Sequence, residues 1–576
     1  MIILGINYKH GDASACLIKD GKLCSAVEEE RFTKIKNCSH FPINSIQYCL
    51  TENNISIDDV SYITINSNPR YNLLAKIVFT FKNINNGLFF EYFLSFFDNN
   101  QSAKFLFRLY FEKNVKNKII YIPHHLSHVY STLFFLEDTK NSLIFSFDGS
   151  GDFSTIEVYL TNQKKTKLLE KNYFPHSLGF YYMAFTQYLG FKNYGDEYKV
   201  MGLSGTGSPI YADKIKKILL KSEYPFKLNL KYFNIPKVSY FTHQPKVQDL
   251  YNDFFTKEFG EPRKQDEKNI KQIHKDYAAS MQKVFEDVVF VYLRKFQKEY
   301  NSKKLYLTGG CALNSVLAGK IVQSKLFNEV SIGPNPGDAG GALGSAFYHL
   351  VKNNLEIDNI HNIPFSGPSY KDSFIKKHII DKIINDKKYK VSFYEKDEDL
   401  TLDVAKIIKT QKVIFWYQDS AEWGPRALGN RSILADPTEK DIKELINISI
   451  KKRELFRPFA PVVLKSFAND YFHMHGQDSK YMNIVFKAKD ITIQKCPGVV
   501  HVDGTSRVQT IEVTDNKKLY DLLNEFKKIT GHPMLINTSL NINGPMAMNP
   551  IDAFNFFLDT EVKSIILNNW LIETKS

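Results

Sequence analysis

Glycine-rich loops that directly follow short apolar strands are the feature of this sequence that most constrains its fold. Three such loops, GINYKHGDAS, DGSGD and TGGCALN, lie in the first two thirds of the chain, and VSIGPNPGDAGGALGSAFYHL repeats the order of strand, glycine turn and helix. Strands that alternate with glycine turns and helices are typical of an α/β fold. Glycine also lets a backbone approach a phosphate closely, although each loop alone fits an ordinary structural joint.

The length of the chain predicts two domains. It has 576 residues, and a single hydrophobic core stops growing at about 250–300 residues. The stretch NNLEIDNIHNIPFSGPSY is rich in Asn, Pro and Gly, which marks a boundary. We therefore expect domains at 1–358 and 365–576. Asp20-Gly21 between two apolar runs predicts a β-hairpin, and the opening strands and later glycine turns fit two duplicated lobes.

Charge and cysteine content narrow the class of protein. The formal net charge is +13, but the basic residues are spread and form no dense block, so we expect a lysine-rich surface rather than a nucleic-acid interface. None of the six cysteines forms a CxxC pair, which favours reduced thiols in the cytoplasm. The sequence has no run of about 18 apolar residues and its start is not typical of a secretory leader, so we expect no membrane partner.

Residues 71–112 are rich in phenylalanine, as in IVFTFKNINNGLFFEYFLSFF. The spacing fits amphipathic helices that cover a core, and it also fits a surface that meets a partner or a membrane. The sequence leaves open the role of this stretch and the oligomeric state, a homodimer included.

A pair of histidines is the first candidate site. His124 and His128 stand four residues apart at the start of a predicted helix, so both imidazoles can reach one ion. Asp148 follows the apolar run LIFSF, which predicts that it lies at a strand end, and Asp338 lies in the glycine turn PNPGDAGGALG. Two imidazoles with one or two carboxylates suit Fe(II), Mn(II) or Zn(II). The HxxxH spacing alone also fits capping or core histidines, and the two aspartates in glycine turns favour the metal.

The second predicted domain carries a dense group of cations and amides. Several of them are flanked by Pro, Gly and Phe rather than by alternating Glu and Lys, so an anion site explains them better than surface salt bridges. Arg binds phosphate or carboxylate with two parallel hydrogen bonds, and Lys supplies a point charge. The segments are QDSAEWGPRALGNRSILADP, NISIKKRELFRPFAP, HVDGTSRVQTI and NTSLNINGP, with Arg426, Arg431, Lys451, Arg453, Arg457, Arg507, Asn537, Ser539 and Asn541.

At these residues the sequence resembles the O-carbamoyltransferase family that includes the nodulation and tobramycin carbamoyltransferases. The matching stretches run from end to end of the chain, and GPRALGNRS together with RPFAP is long enough to be specific. The stretches are GINYKHGDASACL, EEERFTKIKN, PHHLSH, FSFDGSGD, SLGFYY, GDEYKVMGL, TGGCALN, PNPGDAGGALG, AEWGPRALGNRS, KKRELFRPFAP, DGTSRVQ and NTSLN.

The resemblance implies a fold and an activity. The N-terminal domain would have the actin/sugar-kinase fold, like the universal tRNA-threonylcarbamoylation protein, and the C-terminal domain the threonylcarbamoyl-adenylate-synthase α/β fold. Carbamoyl phosphate and ATP would give carbamoyl-adenylate in the C-terminal domain, and the N-terminal domain would pass the carbamoyl group to a hydroxyl of a small molecule or glycan. The family acts on sugars, antibiotics, toxins and polysaccharides, which implies natural-product biosynthesis and leaves the acceptor unidentified.

Carried over to this sequence, the resemblance assigns roles to single residues. His10 is the candidate base for the acceptor hydroxyl, with Asp12 beside it, since a neutral imidazole suits that task near pH 7. A divalent metal, Fe(II) by the resemblance, would be held by His124, His128, Asp148 and Asp338, and Mg is an option for ATP. The adenylate would be cradled by Gly309, Gly310 and Asn314. Carbamoyl phosphate and ATP would be held by Lys451, Arg457, Arg507 and Ser539, with Lys451 and Arg457 catalytic and Arg426, Arg453 and Asn537 as neighbours.

One departure from the family and two alternatives stay open. Pro545 directly follows Gly544, where the family usually has an acidic residue, and the consequence of this change is not evident from the sequence. Transfer of a threonylcarbamoyl group to tRNA is an alternative that the net charge permits, although the C-terminal motifs match the carbamoyl-phosphate chemistry. An inactive ATP-binding regulatory scaffold is the other alternative, and the intact set of cations argues against it.

Overall fold

The computed structural model describes residues 1–82, 102–221, 224–234, 248–265, 267, 269–355, 357, 364–542 and 544–575. The centre of the phenylalanine-rich stretch, 83–101, lies outside these residues, as do 358–363 near the expected domain boundary.

The chain divides into two compact units. The first comprises Met1–Glu30 and Asn37–His361, and the second comprises Arg31–Lys36 and Asn362–Ser576. The short segment Arg31–Lys36 is held in the second unit, where Arg31 Nη2 donates a hydrogen bond to the Gly424 carbonyl at 2.8 Å and Lys34 forms an ion pair with Asp552. Each unit is built of helices and sheets, which confirms the predicted α/β class.

The first unit contains two five-stranded sheets and a small two-stranded sheet. The first sheet has the order β3-β2-β1-β4-β5 and the second the order β12-β11-β6-β7-β8. Its strands are β1 Ile2–Asn7, β2 Ser14–Lys19, β3 Lys22–Glu28, β4 Tyr62–Ile65, β5 Ile119–Tyr121, β6 Ser142–Gly151, β7 Ser154–Asn162, β8 Lys165–Tyr173, β9 Leu219–Lys221, β10 Lys227–Leu228, β11 Lys304–Thr308 and β12 Glu329–Ile332.

The two large sheets repeat one topology. In each, three consecutive strands pair antiparallel, and two later strands join in parallel on the other side of the first strand. This repeat confirms the duplicated lobes, and two such lobes form the predicted actin/sugar-kinase fold. The predicted hairpin at Asp20-Gly21 joins β2 to β3.

Helices follow the parallel strands and close the first unit. The helix His124–Leu133 follows β5, the helix Gly340–Lys352 follows β12, and the two helices pack together. The helices up to residue 352 are Glu30–Thr33, Ile43–Glu52, Leu73–Lys82, Ala103–Phe111, His124–Leu133, Leu178–Tyr188, Glu197–Ser204, Ala212–Lys216, Asp253–Phe259, Gln272–Tyr300, Ser315–Ser324 and Gly340–Lys352, with 3-10 turns at Lys116–Lys118, Leu230–Tyr232 and Gly310–Leu313.

The DGSG sequence is not the strand-ending turn that the sequence predicts. Strand β6 continues through Asp148 to Gly151, with an irregular register against β7 between Phe147 and Gly151. The chain reverses instead at Asp152 and Phe153, which have φ values of 48° and 73°. A bulged strand bends and re-aims a side chain, so Asp148 projects from within the strand rather than from its end.

The second unit is built on one eight-stranded mixed sheet of order β13-β22-β21-β14-β15-β20-β16-β19, with β17 and β18 paired beside it. Its strands are β13 Tyr389–Phe393, β14 Val413–Tyr417, β15 Arg431–Ala435, β16 Ala460–Leu464, β17 Val485–Lys487, β18 Thr505–Arg507, β19 Gln509–Ile511, β20 Met534–Ser539, β21 Ser564–Leu567 and β22 Trp570–Thr574. Its α-helices are Asp372–Ile375, Asp381–Ile383, Asp397–Gln411, Ile442–Glu444, Lys465–Tyr471, Asp490–Lys495, Lys517–Thr530 and Pro550–Leu558, with π-helices at Lys376–Ile380 and Leu445–Ile450 and a 3-10 turn at Pro497–Val499.

Two of these helices form the core of the second unit with the sheet. The helix Lys517–Thr530 buries Leu519, Leu522, Leu523 and Phe526, which recur at the three- and four-residue spacing of one helix face. They pack with residues of Asp397–Gln411 and the strands. A fully buried side chain of this kind contributes roughly 1.5–3 kcal/mol, so this face holds the helix against the eight-stranded sheet.

Among the described residues, no helix combines the length and the apolar character that crossing a bilayer requires.

Candidate active site

The four predicted metal ligands of the first unit come together. His128 Nε2 lies 2.9 Å from His124 Nε2 and 2.9 Å from Asp148 Oδ2. His124 Nε2 lies 3.3 Å from Asp148 Oδ2, and Asp338 Oδ1 lies 3.4 Å from both ring nitrogens. The two imidazoles and two carboxylates therefore converge on one point from the helix His124–Leu133, strand β6 and the loop after β12.

Two features of the DGSGD sequence place the His124 ring. Asp152 Oδ2 accepts a hydrogen bond from the His124 backbone N–H at 2.8 Å, which fixes the first turn of the helix. A Cβ atom on Gly151 would lie 1.9 Å from the His124 ring. Only glycine leaves room for the imidazole here, so the glycine of this loop accommodates a histidine side chain.

The histidines and aspartates of this group shift one another's pKa. Burial alone lowers the pKa of His124, but hydrogen bonds to Asp148 and Asp338 outweigh burial and raise it to about 10. For Asp148, burial raises the pKa, and the two histidines overcome this effect and hold the pKa well below its ordinary value. Opposite charges in close contact favour the ionised form of each. The group is therefore internally balanced, because each carboxylate lies against imidazoles that favour its ionised form.

The donor set fits a divalent metal ion. Its four ligand atoms all lie within 4.8 Å of one another. The Nδ1 atoms of both histidines are buried and make no hydrogen bond within the described residues, so the Nε2 atoms are the ones that face the shared point. Two imidazoles and two carboxylates suit Fe(II), Mn(II) or Zn(II).

His10 and Asp12 lie in the loop between β1 and β2, and the His10 ring lies beside the candidate metal ligand His124. The rings of His10 and His124 are tilted by 43° to each other, with their centroids 4.4 Å apart. Burial, followed by the charge of His124, lowers the pKa of His10 to about 3. The imidazole is therefore neutral near pH 7, and its role as a base for the acceptor hydroxyl stays a prediction. Asn7 Nδ2 donates to the carbonyls of Gly11 and Asp12 at 3.0 Å and holds this loop.

The Gly309-Gly310 loop contacts Asp148, whereas Asn314 is engaged in the fold. A Cβ atom on Gly310 would lie 2.9 Å from Asp148 Oδ1, and Gly309 has a φ of 89° beside the Phe147 carbonyl. The Asn314 side chain accepts from the Leu317 N–H at 2.9 Å, which caps the helix Ser315–Ser324, and donates to Gln282 at 2.9 Å. Its predicted contact with the adenylate stays a prediction.

The predicted cations of the second unit also lie together, around a buried lysine. Lys451 is 1% exposed. Its ammonium donates to the Ser539 carbonyl and to Asn541 Oδ1, the latter at 2.6 Å. Burial, then the charges of Arg453, Arg457 and Lys36, hold the pKa of Lys451 well below its ordinary value.

Arg507 shares this electropositive environment. Burial, then the charges of Arg426, Arg453 and Arg457, lower its pKa. Within the described part of the chain, neither Lys451 nor Arg507 forms an ion pair with a carboxylate. An anion bound here would relieve the mutual repulsion of these cations.

Arg453 and Arg457 come from the loop before β16. Asn447 holds this loop at two points, because its Oδ1 accepts from Arg453 Nε at 2.7 Å and its Nδ2 donates to the Arg457 carbonyl at 3.1 Å. Arg457 also lies 3.7 Å from Glu454. The π-helix Leu445–Ile450 ends directly before Lys451, and π-turns are frequent at functional sites.

The comparison with protein families decides the affiliation of the chain. Residues 2–347 match the family model described as the carbamoyltransferase N-terminus, and residues 405–574 match the carbamoyltransferase C-terminus. The chain belongs to the carbamoyltransferase family. The predicted family resemblance is thereby confirmed, and the protein is a transferase enzyme.

Relatives of this carbamoyltransferase align over nearly its whole length or over part of it. An uncharacterized protein of Synechocystis sp. is 33% identical over 99% of this chain and 96% of its own. Nodulation protein NolNO of Sinorhizobium fredii is 31% identical over 98% of this chain and 79% of its own. Nodulation protein U of Rhizobium fredii is 34% identical over 42% of this chain and 39% of its own.

Solved structures resemble the carbamoyltransferase more distantly. Component A of (R)-2-hydroxyglutaryl-CoA dehydratase from Acidaminococcus fermentans aligns with a TM-score of 0.34 and 13% identity, over 60% of this chain and 97% of its own. HypF of T. kodakarensis aligns with a TM-score of 0.31 and 12% identity, over 61% of this chain and 48% of its own. TM-scores this low support no functional argument.

Two side chains that organise the carbamoyltransferase sites are not predicted from the sequence. Asp152 fixes the His124 turn and Asn447 holds the arginine loop, whereas Asn541, which accepts from Lys451, is among the predicted residues. Asp152 stands inside the DGSGD motif, close to the predicted Asp148. Asn447 lies in an apolar run with no local signal, since its partners are six and ten residues away.

Proposed function

We propose that this carbamoyltransferase is an ATP-dependent O-carbamoyltransferase that forms carbamoyl-adenylate in its second unit and transfers the carbamoyl group in its first. The buried Lys451 and the half-buried Arg507 carry the proposal, since neither has a carboxylate partner among the described residues. Carbamoyl phosphate and ATP are both strongly anionic, so a site that holds them together needs fixed cations.

The adenylation step is constrained by its atom balance. When a carbamate oxygen attacks the α-phosphorus of ATP, the bond to the β-phosphate breaks and pyrophosphate leaves. The phosphate of carbamoyl phosphate must therefore leave first as inorganic phosphate, which consumes one water. Lys451, Arg457 and Arg507 would hold the phosphates and stabilise the charge that develops on the leaving oxygens, with Ser539, Arg426, Arg453 and Asn537 beside them.

In the first unit, the acceptor hydroxyl oxygen would attack the carbamoyl carbon and AMP would leave. His10 would take the hydroxyl proton on its free imidazole nitrogen, with Asp12 beside it. The Gly309-Gly310 loop and Asn314 would hold the adenylate. A divalent metal held by His124, His128, Asp148 and Asp338, with Fe(II) our first choice, would supply polarisation of the carbonyl when bound.

The experiment follows the two half-reactions separately. Folded, metal-loaded protein with carbamoyl phosphate and ATP should release pyrophosphate and inorganic phosphate in equal amounts. AMP and a product heavier by one carbamoyl group should then appear when cell extract supplies hydroxyl acceptors. Pyrophosphate release that does not depend on carbamoyl phosphate would overturn the adenylation step, and pyrophosphate release without any carbamoylated product would overturn the transfer step.

A further inference from the structure

The connection between β14 and β15, residues 418–430, is an irregular loop that carries Arg426. Gly424 and Gly429 have φ values of 125° and 118°, which fall outside the range of ordinary side-chain-bearing residues. Such a loop has no regular pairing of its own, so its backbone groups need other partners to be buried.

One carboxylate supplies three of these partners. Glu422 is 2% exposed, and its Oε1 accepts backbone N–H groups from Leu428 at 2.9 Å, Asn430 at 2.8 Å and Arg431 at 3.0 Å. A single charged oxygen thus gathers three donors from the returning half of the loop. Its second oxygen, Oε2, is buried and makes no hydrogen bond within the described residues.

The carbonyl groups of the same loop are held by donors from other segments of the second unit. Arg31 and Trp416 hold its two ends, and two amide side chains hold its middle. The hydrogen bonds are Arg31 Nη2 to Gly424 at 2.8 Å, Asn537 Nδ2 to Ala427 at 3.1 Å, Gln509 Nε2 to Leu428 at 2.9 Å and Trp416 Nε1 to Gly429 at 2.8 Å.

The tip of the loop is the part that reaches the surface. From 421 to 430, every residue is buried except Pro425, which is exposed, and Arg426, which is half-buried. The Arg426 guanidinium lies close enough to Arg507 for its charge to lower the Arg507 pKa. The arrangement presents one arginine from an otherwise buried loop toward the cation group.

We propose that Glu422 is a positioning residue for the anion site: it folds the 424–430 loop so that Arg426 faces the phosphate-bearing substrate beside Arg507. This inference rests on the proposed function for the identity of that substrate, and Glu422 itself contacts no substrate. The carboxylate suits the task, because a charged acceptor binds backbone N–H groups about twice as strongly as a neutral one. Alanine at this position would leave three buried N–H groups unpaired.

The test is a double-mutant cycle on carbamoyl-phosphate-dependent pyrophosphate release. Glu422→Ala and Arg426→Ala should each raise the KM for carbamoyl phosphate about tenfold or more, and the double variant should be no worse than Arg426→Ala alone. Glu422→Gln keeps one acceptor oxygen and should give an intermediate KM. Effects that multiply in the double variant, or an unchanged KM in Glu422→Gln and Glu422→Ala, would overturn the inference.

A matched control separates positioning from general damage. Asp436 is another fully buried carboxylate of the second unit that holds a turn, since its Oδ1 accepts from the Thr438 N–H at 2.9 Å. Asp436→Asn should lower the melting temperature and leave the KM for carbamoyl phosphate unchanged. An equal rise in KM in this variant would contradict a specific role of Glu422. If Glu422→Ala does not fold, Glu422→Gln decides the outcome by its KM.

A second readout does not depend on catalysis. Inorganic phosphate should raise the melting temperature of the wild-type protein, and Glu422→Gln and Arg426→Ala should both reduce this shift. A wild-type protein that binds phosphate in this way but releases no pyrophosphate would contradict the proposed function while supporting the loop inference. Absence of a phosphate shift in the wild type, or a full shift in Glu422→Gln, would overturn the loop inference itself.

Discussion

In the first unit, the His124 and His128 rings lie within 3.4 Å of the Asp148 and Asp338 carboxylates. In the second unit, the Lys451 ammonium contacts neutral oxygen atoms of Ser539 and Asn541 and no carboxylate among the residues that the structure describes. Both groups are buried and titratable. They differ in that the first group places carboxylates against its imidazoles, whereas Lys451 and Arg507 of the second have cationic neighbours and no carboxylate partner among the described residues.

This difference separates two kinds of ligand. Like charges in a buried site raise the free energy of the free protein, so an anion that enters is bound in part by relief of that repulsion. Such a site suits substrates that bind and leave in each cycle. A balanced set of two imidazoles and two carboxylates offers converging donor atoms to a divalent cation that stays bound.

The largest expected effect is the loss of adenylation in Lys451→Met. Removal of one charge that stabilises a developing anion costs about 10²–10³-fold in rate, and we expect the upper end for carbamoyl-phosphate-dependent pyrophosphate release. Stability should change by less than about 1 kcal/mol, because the desolvation of an unpaired charge is removed together with its hydrogen bonds. Urea unfolding and a pyrophosphate assay measure both quantities.

A paired lysine of the same unit is the control for this variant. Lys409 contacts the buried Asp436 at 3.3 Å and stands outside the group around Lys451. Lys409→Met should leave pyrophosphate release within about twofold of the wild type, as expected for a partly exposed ion pair of small energetic weight. Equal losses in Lys409→Met and Lys451→Met would show that the contrast between paired and unpaired cations has no functional meaning.

The next effect concerns the balanced group. Asp148→Asn should reduce Fe(II) retained after dialysis and slow carbamoyl transfer by about 100-fold, on the scale of losses seen for groups that tune a metal site. Pyrophosphate release should persist in this variant. Removal of the metal from the wild-type protein by a chelator should likewise slow carbamoyl transfer and leave pyrophosphate release intact. Asp138→Asn is the control, since Asp138 is 68% exposed and pairs with Lys304. Full metal content in Asp148→Asn would show that the group of His124, His128, Asp148 and Asp338 does not hold the metal.

Much of this organisation is visible in the sequence, and the reason is local. The strand, glycine and helix order predicts the α/β class, and the four metal-ligand candidates stand in short motifs with recognisable neighbours. The position of Asp148 inside β6 is not predictable, because a bulge is set by pairing with β7. The three N–H groups on Glu422 and the assignment of Arg31–Lys36 to the second unit depend on tertiary packing, which leaves no periodic signal.

A smaller effect tests whether every buried cation of the second unit binds an anionic substrate. Arg431 is 1% exposed, lies 3.7 Å above the Tyr417 ring and donates to four backbone carbonyls. These carbonyls belong to Gln418, Asn430, Pro368 and Asp419. Lys has no planar fork to reproduce these bonds.

Arg431→Lys should therefore lower the free energy of unfolding by about 3 kcal/mol without raising the KM for carbamoyl phosphate in the folded fraction. Arg426→Lys should do the reverse, with a raised KM and little change in unfolding by urea. A raised KM and unaltered stability in Arg431→Lys would place Arg431 with the substrate-binding cations instead of the structural ones.

The smallest effect concerns an acidic counterpart of Lys451 in the first unit. The Oε1 atom of Glu197 is buried and makes no hydrogen bond within the described residues. Burial, with the nearby charge of Asp196, raises the pKa of Glu197 to about 7. The folded protein therefore binds this proton more tightly than the unfolded chain. The free energy of unfolding is consequently highest below the ordinary pKa of 4.5 and falls as the pH rises toward 7. Above that value the loss levels off at about 3 kcal/mol, because each pH unit between 4.5 and 7 corresponds to about 1.4 kcal/mol. Glu197→Gln should abolish this fall and be more stable than the wild type at pH 8, whereas substitution of the exposed Glu52 by Gln should leave the profile unchanged. If the unfolding free energy of the wild-type protein is flat between pH 5 and pH 8, a positive charge must lie close to Glu197. Glu197 would then be a charge-balanced group of the first unit, as the four metal ligands are.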